Sequence, residues 1–188
     1  MQKTQGYLAG QLLVAMPQMQ DDRFTRAVVY VCAHSAEGGM GLVINQLFDG
    51  LTFAELLEQL NIPCHPDHTN VPVHCGGPVE IGRGFVLHST DYMHDSSMLV
   101  GDNIALTATI DVLRAIANGH GPSRYVLALG YAGWSAGQLE SEIRDNSWLN
   151  VPAAADLLFR TDLPNKWEAA LNTLGIEAAA LSRDAGHA

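Results

Sequence analysis

The sequence predicts an α+β fold in a single domain, and three observations support this class. Stretches rich in β-branched and aromatic residues dominate the first half of the chain, whereas helical patterns dominate the second half. This order differs from the strict strand–helix alternation of a doubly wound parallel sheet. The length of 188 residues suits one domain with a sizeable core, and no internal repeat or linker is visible. We therefore expect one domain over residues 1–188, with a core over about 7–175.

The strands are predicted from apolar runs that turn residues interrupt. The strongest run is 27–33 (AVVYVCA), and the glycines after Glu37 predict a hairpin to the segment 40–45. Further strands are expected at residues 7–15, 71–75, 84–88, 104–106, 126–129 and 148–151. The dipeptide Gly76–Gly77 marks a turn in which one glycine takes a positive φ angle.

Helices are predicted where apolar residues recur at helical spacing behind a capping signal. In residues 52–60 four apolar side chains share one face, and Thr52 forms a capping box with Glu55. Further helices are expected between residue 106 and about 118, from 136 to 144, from Pro152 to 160, and from Pro164 to 175. We expect residues 1–6 to be frayed and 177–188 to form a loose tail.

Residues 126–143 carry the most distinctive local signal, which is a strand, a glycine-rich corner and a helix start. Gly130 and Gly133 are predicted to end the strand. Ser135 and Gln138 match a capping box, in which the Ser135 hydroxyl accepts from the Gln138 N–H and the Gln138 side chain bonds the Ser135 N–H. Trp134 precedes the cap and is placed to form a hydrophobic staple.

Composition and charge disfavour several classes of function. With 47% hydrophobic and 16% charged residues, the chain is globular rather than disordered. The formal net charge of −10, with scattered basic residues, makes direct DNA binding doubtful because phosphate backbones are repelled. Neither a signal peptide nor a run of about 18 apolar residues is recognised, so no membrane association is expected. Three cysteines, an odd and small number, indicate reduced thiols and a cytoplasmic location.

The sharpest enzymatic hypothesis is a serine hydrolase. Residues 133–137 (GWSAG) match the G-x-S-x-G pattern of a nucleophile elbow, between a strand and a helix. The histidine of such a triad should follow the serine, and the only downstream histidine is His187, in the predicted loose tail. Because Ser135 also has a capping task, a structural role is favoured over a catalytic one.

Three further kinds of site have weaker support in the sequence. Metal ligands could come from Cys32 with His34, from His74 with Cys75, or from His65 with His68, but none of these pairs has the spacing of a structural zinc site. An anion could bind at the helix after Ser135 or at Gly76–Gly77, although neither stretch has phosphate-loop spacing. A reactive thiol at Cys75, beside His74, is a further hypothesis.

A set of nine short motifs, taken in order, resembles the AlgH/YqgE family of bacterial proteins. The motifs are 8–17 (LAGQLLVAMP), 22–24 (DRF), 26–29 (RAVV), 41–45 (GLVIN), 76–79 (GGPV), 87–88 (LH), 130–134 (GYAGW), 137–140 (GQLE) and 146–148 (NSW). The resemblance implies an α+β fold with a branched sheet folded into a pseudo-barrel and helices packed outside. One branch of the family is described as transcriptional regulators linked to alginate production. The resemblance implies no catalytic residue set.

We interpret the chain as a non-enzymatic, cytosolic binding or regulatory module, because its distinctive motifs form turns and caps without a paired nucleophile and base. Its partner is expected to be a protein or a small molecule, and no cofactor or metal is expected. We predict a binding cleft where the motifs converge. The candidate cleft residues are Phe24, Asn45, Gly76, Gly77, Pro78, Tyr131, Gly133 and Trp134. A hydrolase that uses Ser135 and a nucleic-acid-linked regulator with a local binding patch stay open as alternatives.

Overall fold

The computed structural model describes residues 7–184, with side chains as far as residue 181. Within this range the strands are β1 (Gln11–Ala15), β2 (Val28–Ser35), β3 (Gly38–Val43), β4 (Val73–Cys75), β5 (Val79–Ser89), β6 (Met98–Leu99), β7 (Ile104–Thr107), β8 (Tyr125–Ser135) and β9 (Trp148–Pro152). The helices are α1 (Phe53–Gln59), α2 (Ile110–Ala117), α3 (Gln138–Arg144), α4 (Ala155–Phe159), α5 (Lys166–Asn172) and α6 (Ala178–Asp184). The frayed terminus predicted for residues 1–6 lies outside the described residues.

The strands form one curled sheet that branches at β8. Its order is β6-β7-β5-β8-β3-β2-β1-β9, with antiparallel neighbours, and β4 pairs in parallel with β8 off this path. The first part of β8 lies between β4 and β5, whereas its last residues pair with β3, from Ala132 opposite Gly41 to Ser135 opposite Gly38. The curled sheet is a half-barrel with helices, which confirms the predicted α+β class.

Buried side chains cover both faces of the central strands. Leu12 of β1 belongs to a cluster that includes α4 and α5, whereas its neighbour Leu13 belongs to a second cluster that includes α3. Because successive side chains of a strand point to opposite faces, these two clusters lie on opposite sides of β1. A third cluster packs α1 and α2 against β5 and β8. The cluster that includes α3 borders the candidate site.

The strand predicted at residues 126–129 continues through the glycines to Ser135, so Gly130 does not end it. Gly130 has a φ of 75°, and a Cβ there would lie 2.4 Å from the carbonyl oxygen of Gly77. Opposite this point β5 is bulged, because Val79 pairs with Tyr131 but the next paired residue is Gly84. The glycine therefore bends the strand at a close backbone crossing instead of terminating it. Gly77 has the positive φ predicted for this turn, at 151°.

The two predicted capping boxes have different outcomes. At Thr52 both halves are present: its hydroxyl accepts from the Glu55 N–H, and the Glu55 carboxylate accepts from the Thr52 N–H. At Ser135 one half is present, because the Gln138 side chain accepts from the Ser135 N–H. The other half is wrong, because α3 begins at Gln138 with Gly137 as its N-cap in the left-handed conformation. Since Ser135 is still the last residue of β8, its hydroxyl does not reach the helical N–H groups and bonds the Gln138 side chain instead.

Three helix boundaries near the C-terminus also differ from the prediction. Pro152 ends β9 opposite Gln11 rather than opening a helix, and α4 begins three residues later. Pro164 lies in a 3-10 turn, Leu163–Asn165, before α5. Part of the tail predicted to be loose from residue 177 is the helix α6, whose Ala178 and Leu181 pack against the cluster that includes α4 and α5. This apolar contact explains why the helix forms.

Candidate functional site

A cleft of about 210 Å³ lies where the end of β8, the start of β5, α3 and the loop after β1 meet. We call it the aromatic cleft. It is lined by Met19, Asp21, Arg23, Phe24, Pro78, Val79, Gly133, Trp134, Gln138, Glu142 and Trp148. It therefore combines residues that are separated by more than 120 positions in the sequence.

Three aromatic rings form one wall of the aromatic cleft. Phe24 meets Trp148 edge to face, with ring centroids 5.6 Å apart, and Trp148 meets Trp134 in the same way at 6.1 Å. Both distances lie in the range that aromatic pairs prefer. Trp134 and Trp148 are buried, so the ring edges are held by packing and the wall is rigid.

A single carboxylate fixes both tryptophans. Glu142 Oε2 accepts hydrogen bonds from the indole N–H of Trp134 at 2.9 Å and of Trp148 at 2.8 Å. Its Oε1 accepts from the Gln138 side-chain amide at 2.9 Å, one helical turn earlier on α3. Gln138 Oε1 in turn accepts from the Ser135 N–H at 3.0 Å. The polar atoms along this wall are therefore already bonded to one another, which leaves a surface suited to contact rather than to proton transfer.

An ion pair between two residues of the loop after β1 also lines the aromatic cleft. Asp21 and Arg23 are joined in a bidentate contact, with the Nη2–Oδ2 distance at 2.7 Å and the Nε–Oδ1 distance at 3.0 Å. The hydrogen bond from the Arg23 side chain lowers the pKa of Asp21 below its ordinary value. The guanidinium carbon lies 6.0 Å from the centroid of the Phe24 ring. Arg23 is exposed and Asp21 is half-buried, and the pair joins two residues of this loop without adding net charge.

Four of the eight predicted cleft residues line the aromatic cleft, namely Phe24, Pro78, Gly133 and Trp134. Asn45 instead fastens β2, because it accepts from the Val28 N–H and donates to the Arg26 carbonyl oxygen, both at 2.8 Å. Gly76 and Gly77, in the turn between β4 and β5, instead cross β8 near Tyr131. A Cβ at Gly77 would lie 2.1 Å from the carbonyl carbon of Tyr131, so the two backbones approach too closely there for a side chain.

The AlgH-like family model matches residues 12–179. The chain belongs to the AlgH-like family. Two relatives show how far the similarity extends. The UPF0301 protein of Rhodopseudomonas palustris strain HaA2 is 54% identical over 190 residues, which cover 97% of this chain and 87% of the relative. The UPF0301 protein of Rhodospirillum rubrum is 53% identical over 188 residues, with coverages of 100% and 98%.

Solved structures agree with this membership in the AlgH-like family. The solution structure of AlgH from Pseudomonas aeruginosa is similar with a TM-score of 0.81 at 42% identity, and 100% of each chain is covered. A crystal structure of a Corynebacterium diphtheriae protein has a TM-score of 0.69 at 20% identity, with coverages of 92% and 90%. This second likeness concerns the fold alone.

Sequence reasoning missed three cleft residues of the AlgH-like chain that the structure makes central. Glu142 follows Gln138 by four positions, a spacing that places both side chains on one helix face and could have indicated their contact. Trp148 belongs to the motif 146–148, but the sequence does not indicate its contact with Trp134, because that contact joins two separate strands, β9 and β8. Asp21 directly precedes the motif 22–24 and is not among the predicted cleft residues.

No histidine within the described residues bonds Ser135, whose hydroxyl donates to Gln138 Oε1 at 3.2 Å. His34 lies two strands away on β2, and both its ring nitrogens are engaged. Nδ1 accepts from the Leu8 N–H at 3.1 Å, so Nε2 carries the hydrogen and donates to Glu140 Oε1 at 3.0 Å. His187 lies outside the described residues. The contacts of Ser135 are therefore structural ones.

The cysteines and histidines weighed as ligands lie in separate surroundings. Across residues 7–184, no group of three or more His, Cys, Asp or Glu side chains is placed to hold a metal ion. Cys32 is buried, and burial raises the pKa of its thiol to about 12, so this thiol is unreactive near neutral pH. The His65 and His68 rings lie 5.8 Å apart in an exposed turn.

Among residues 7–184, no helix has the length and hydropathy that crossing a membrane requires.

The predicted anion sites are also occupied by internal contacts. The Gly76 N–H donates to the Leu129 carbonyl oxygen at 2.8 Å, so it is not free for a ligand. α3 has seven residues and carries Glu140 in its first turn, which opposes an anion at that end.

Cys75, the candidate reactive thiol, is half-buried at the end of β4, where its backbone N–H donates to the Gln46 carbonyl oxygen.

Proposed function

We propose that this AlgH-like chain is a non-enzymatic, cytosolic binding module that regulates through a protein partner, and that the aromatic cleft receives an apolar side chain of that partner. The observation that carries the proposal is the shared carboxylate of Glu142, which bonds both the Trp134 and the Trp148 indole. This arrangement holds the aromatic wall ready before any partner arrives, and preorganised aromatic surface favours binding.

The size of the aromatic cleft supports an inserted side chain rather than a larger ligand. Its volume of about 210 Å³ is below the range of roughly 300–1,000 Å³ typical of small-molecule sites. Val79 at its edge is 36% exposed, and Ile81 on the same bulge of β5 is 57% exposed. These aliphatic side chains extend the apolar contact surface beyond the cleft itself.

The charge of the aromatic cleft argues against a nucleic-acid partner. Glu142 and Asp21 contribute carboxylates, while the guanidinium of Arg23 is already paired with Asp21. A phosphate backbone would be repelled by these carboxylates and by the net charge of −10.

The cysteines support the cytosolic location in the proposal. All three are free thiols, as is usual for proteins of a reducing compartment.

A site-specific crosslinking experiment tests the proposal. A photo-crosslinking amino acid is placed at Val79, on the edge of the aromatic cleft, and in a matched variant at Ile110, an exposed aliphatic residue of α2. We expect a defined protein adduct from Val79 and none from Ile110, and we expect it to survive nuclease treatment. Equal adducts from the two positions, or an adduct that nuclease removes, would contradict the proposed cleft or the proposed kind of partner.

The hydrolase alternative has a separate test. A fluorophosphonate probe is applied to the native protein and to Ser135→Ala. Because the Ser135 hydroxyl, among the described residues, hydrogen-bonds to Gln138 and to no histidine, we expect no labelling of either protein. Labelling that requires Ser135 would replace the binding-module proposal with an enzymatic one.

A further inference from the structure

Lys166 is a buried lysine that has no part in the aromatic cleft. It is one of two lysines in the 188-residue chain, the other being Lys3. It begins α5 and is 3% exposed. Its Nζ donates to the carbonyl oxygen of Leu158 at 2.7 Å and to that of Ile44 at 3.2 Å. The Leu158 carbonyl is in the last turn of α4, where carbonyl groups lack helical partners, so the ammonium stabilises that helix end.

These two contacts leave the ammonium incompletely satisfied. An ammonium has three N–H donors, and the described residues accept only two of those of Lys166. No carboxylate within the described part of the chain pairs with it, so its charge is buried against neutral acceptors. Burial lowers the pKa of Lys166 from 10.5 to about 8, so the amine is still mostly protonated near neutral pH. The third N–H can therefore donate to an anionic oxygen, which would also neutralise the buried charge.

Lys166 lines a second cavity, which we call the lysine cavity. Its volume is about 330 Å³, within the range of small-molecule sites. Much of the lining is apolar and comes from Val71, Pro72, Val126, Leu127, Phe159 and Leu163. A buried cation beside an apolar wall matches a ligand that has an anionic end and an apolar body.

Among the titratable groups that line the lysine cavity, Lys166 is the one that is both buried and charged at pH 7. His74 is 7% exposed, and its Nδ1–H donates to the Leu127 carbonyl oxygen at 3.0 Å. Burial, and to a smaller extent the Lys166 charge, lower the pKa of His74 to about 4, so the ring is neutral at pH 7. Arg160 and Asp162 have exposed side chains, and burial raises the pKa of Tyr125.

We propose that the lysine cavity binds a small organic acid, whose carboxylate accepts the third N–H of Lys166 while its short apolar body packs against the apolar lining. A phosphate or another dianion fits less well, because the cavity offers one buried N–H beside apolar carbon and the carboxylate of Asp162. The proposal is independent of the aromatic cleft, which shares no lining residue with this cavity.

The two-lysine composition allows a direct test by NMR. Protein labelled with ¹³C-lysine contains two side-chain Cε signals, so the titration of Lys166 can be followed with Lys3 as an internal reference. The probe is hexanoate, and 1-hexanol is the neutral control of equal chain length. We expect hexanoate to raise the pKa of Lys166, with a gain in proton affinity of about tenfold, because the bound carboxylate favours the ammonium. Lys3 should not respond, and hexanol should leave both signals unchanged.

Linkage predicts a matching pH dependence of binding. The affinity for hexanoate should fall about tenfold between about pH 7 and about pH 9.5, as Lys166 loses its proton. The lowered pKa of His74 lies below this interval, and the pKa of Tyr125 is raised by burial from an ordinary value that already lies above it. Titration calorimetry at several pH values measures this fall, and an affinity that does not change with pH would overturn the proposal.

Two further results would also overturn the proposal. The first is a Lys166 signal that hexanoate does not move, or that hexanol moves equally. The second is a folded Lys166→Met variant that still binds hexanoate with the affinity of the native protein. Circular dichroism establishes whether this variant folds. If it does not, the titration of native Lys166 decides the question alone.

Discussion

Removing the Glu142 carboxylate should destabilise the protein, because two buried indoles depend on it. In Glu142→Ala, the N–H groups of Trp134 and Trp148 lose their acceptor. A buried donor left without a partner costs about 1–3 kcal/mol, so two such donors cost about 2–6 kcal/mol. Glu142 is half-buried, and water can replace part of its role at the cleft edge. We therefore expect a loss of about 3 kcal/mol in the free energy of unfolding.

Two matched variants separate the shared carboxylate from general effects of the substitution. Glu142→Gln keeps an acceptor oxygen near both indoles but removes the charge, and should cost about 1 kcal/mol. Glu58→Ala removes an exposed glutamate from α1, so it should change stability by less than about 0.5 kcal/mol. Urea unfolding followed by far-UV circular dichroism measures all three variants.

A double-mutant cycle then assigns the loss to the indoles. In a Trp134→Phe, Trp148→Phe background no indole N–H remains at the cleft, so Glu142→Ala should cost at least about 1 kcal/mol less than in the native protein. Equal costs in the two backgrounds would show that the hydrogen bonds from Glu142 do not hold the aromatic wall. A Glu142→Ala variant as stable as Glu58→Ala would show that the two indoles do not depend on this carboxylate.

Two further predictions follow from the caps and from a buried histidine. Thr52→Ala should lower the free energy of unfolding by about 1 kcal/mol, whereas Ser135→Ala should lower it by less than about 0.5 kcal/mol, because only Thr52 caps a helix. Urea unfolding of the pair measures this difference, and equal losses would restore Ser135 as a cap. Burial lowers the pKa of His74 from 6.5 to about 4, so a proton binds this ring more weakly in the folded than in the unfolded protein. The stability that neutral His74 contributes is therefore fully present above pH 6.5 and is lost as the pH falls to about 4. The native protein should lose about 3 kcal/mol more than His74→Asn over this interval; equal losses, measured by urea unfolding at each pH, would contradict the assignment.

The local features predicted from the sequence were those that neighbouring residues determine. The capping box at Thr52 is complete within four residues, and the helix behind it forms as predicted. The run 27–33 lies almost wholly in β2, because its β-branched and aromatic side chains pack on both faces of the sheet. The family motifs, read in order, also identified the AlgH-like family and its α+β class.

The aromatic cleft was predictable only in part. Phe24, Pro78 and Trp134 were chosen from motifs, and the structure brings them together. Asn45 ends a motif and is therefore a predicted cleft residue, yet both groups of its side-chain amide form hydrogen bonds with the backbone at the start of β2. A motif shows that a residue matters for the fold or for the site, but its letters do not distinguish these roles.

The order of residues along the chain is enough to predict the class of fold, the family and the helix starts whose caps are local. The tertiary structure alone decided that Gly130 bends a continuous strand, because the carbonyl of Gly77 crosses it at a distance that excludes a side chain. It also decided that one carboxylate, Glu142, serves tryptophans on β8 and β9, and that Lys166 is buried against two carbonyls from distant segments. These contacts join residues that chain spacing does not relate, so only the packing of the curled sheet could place them together.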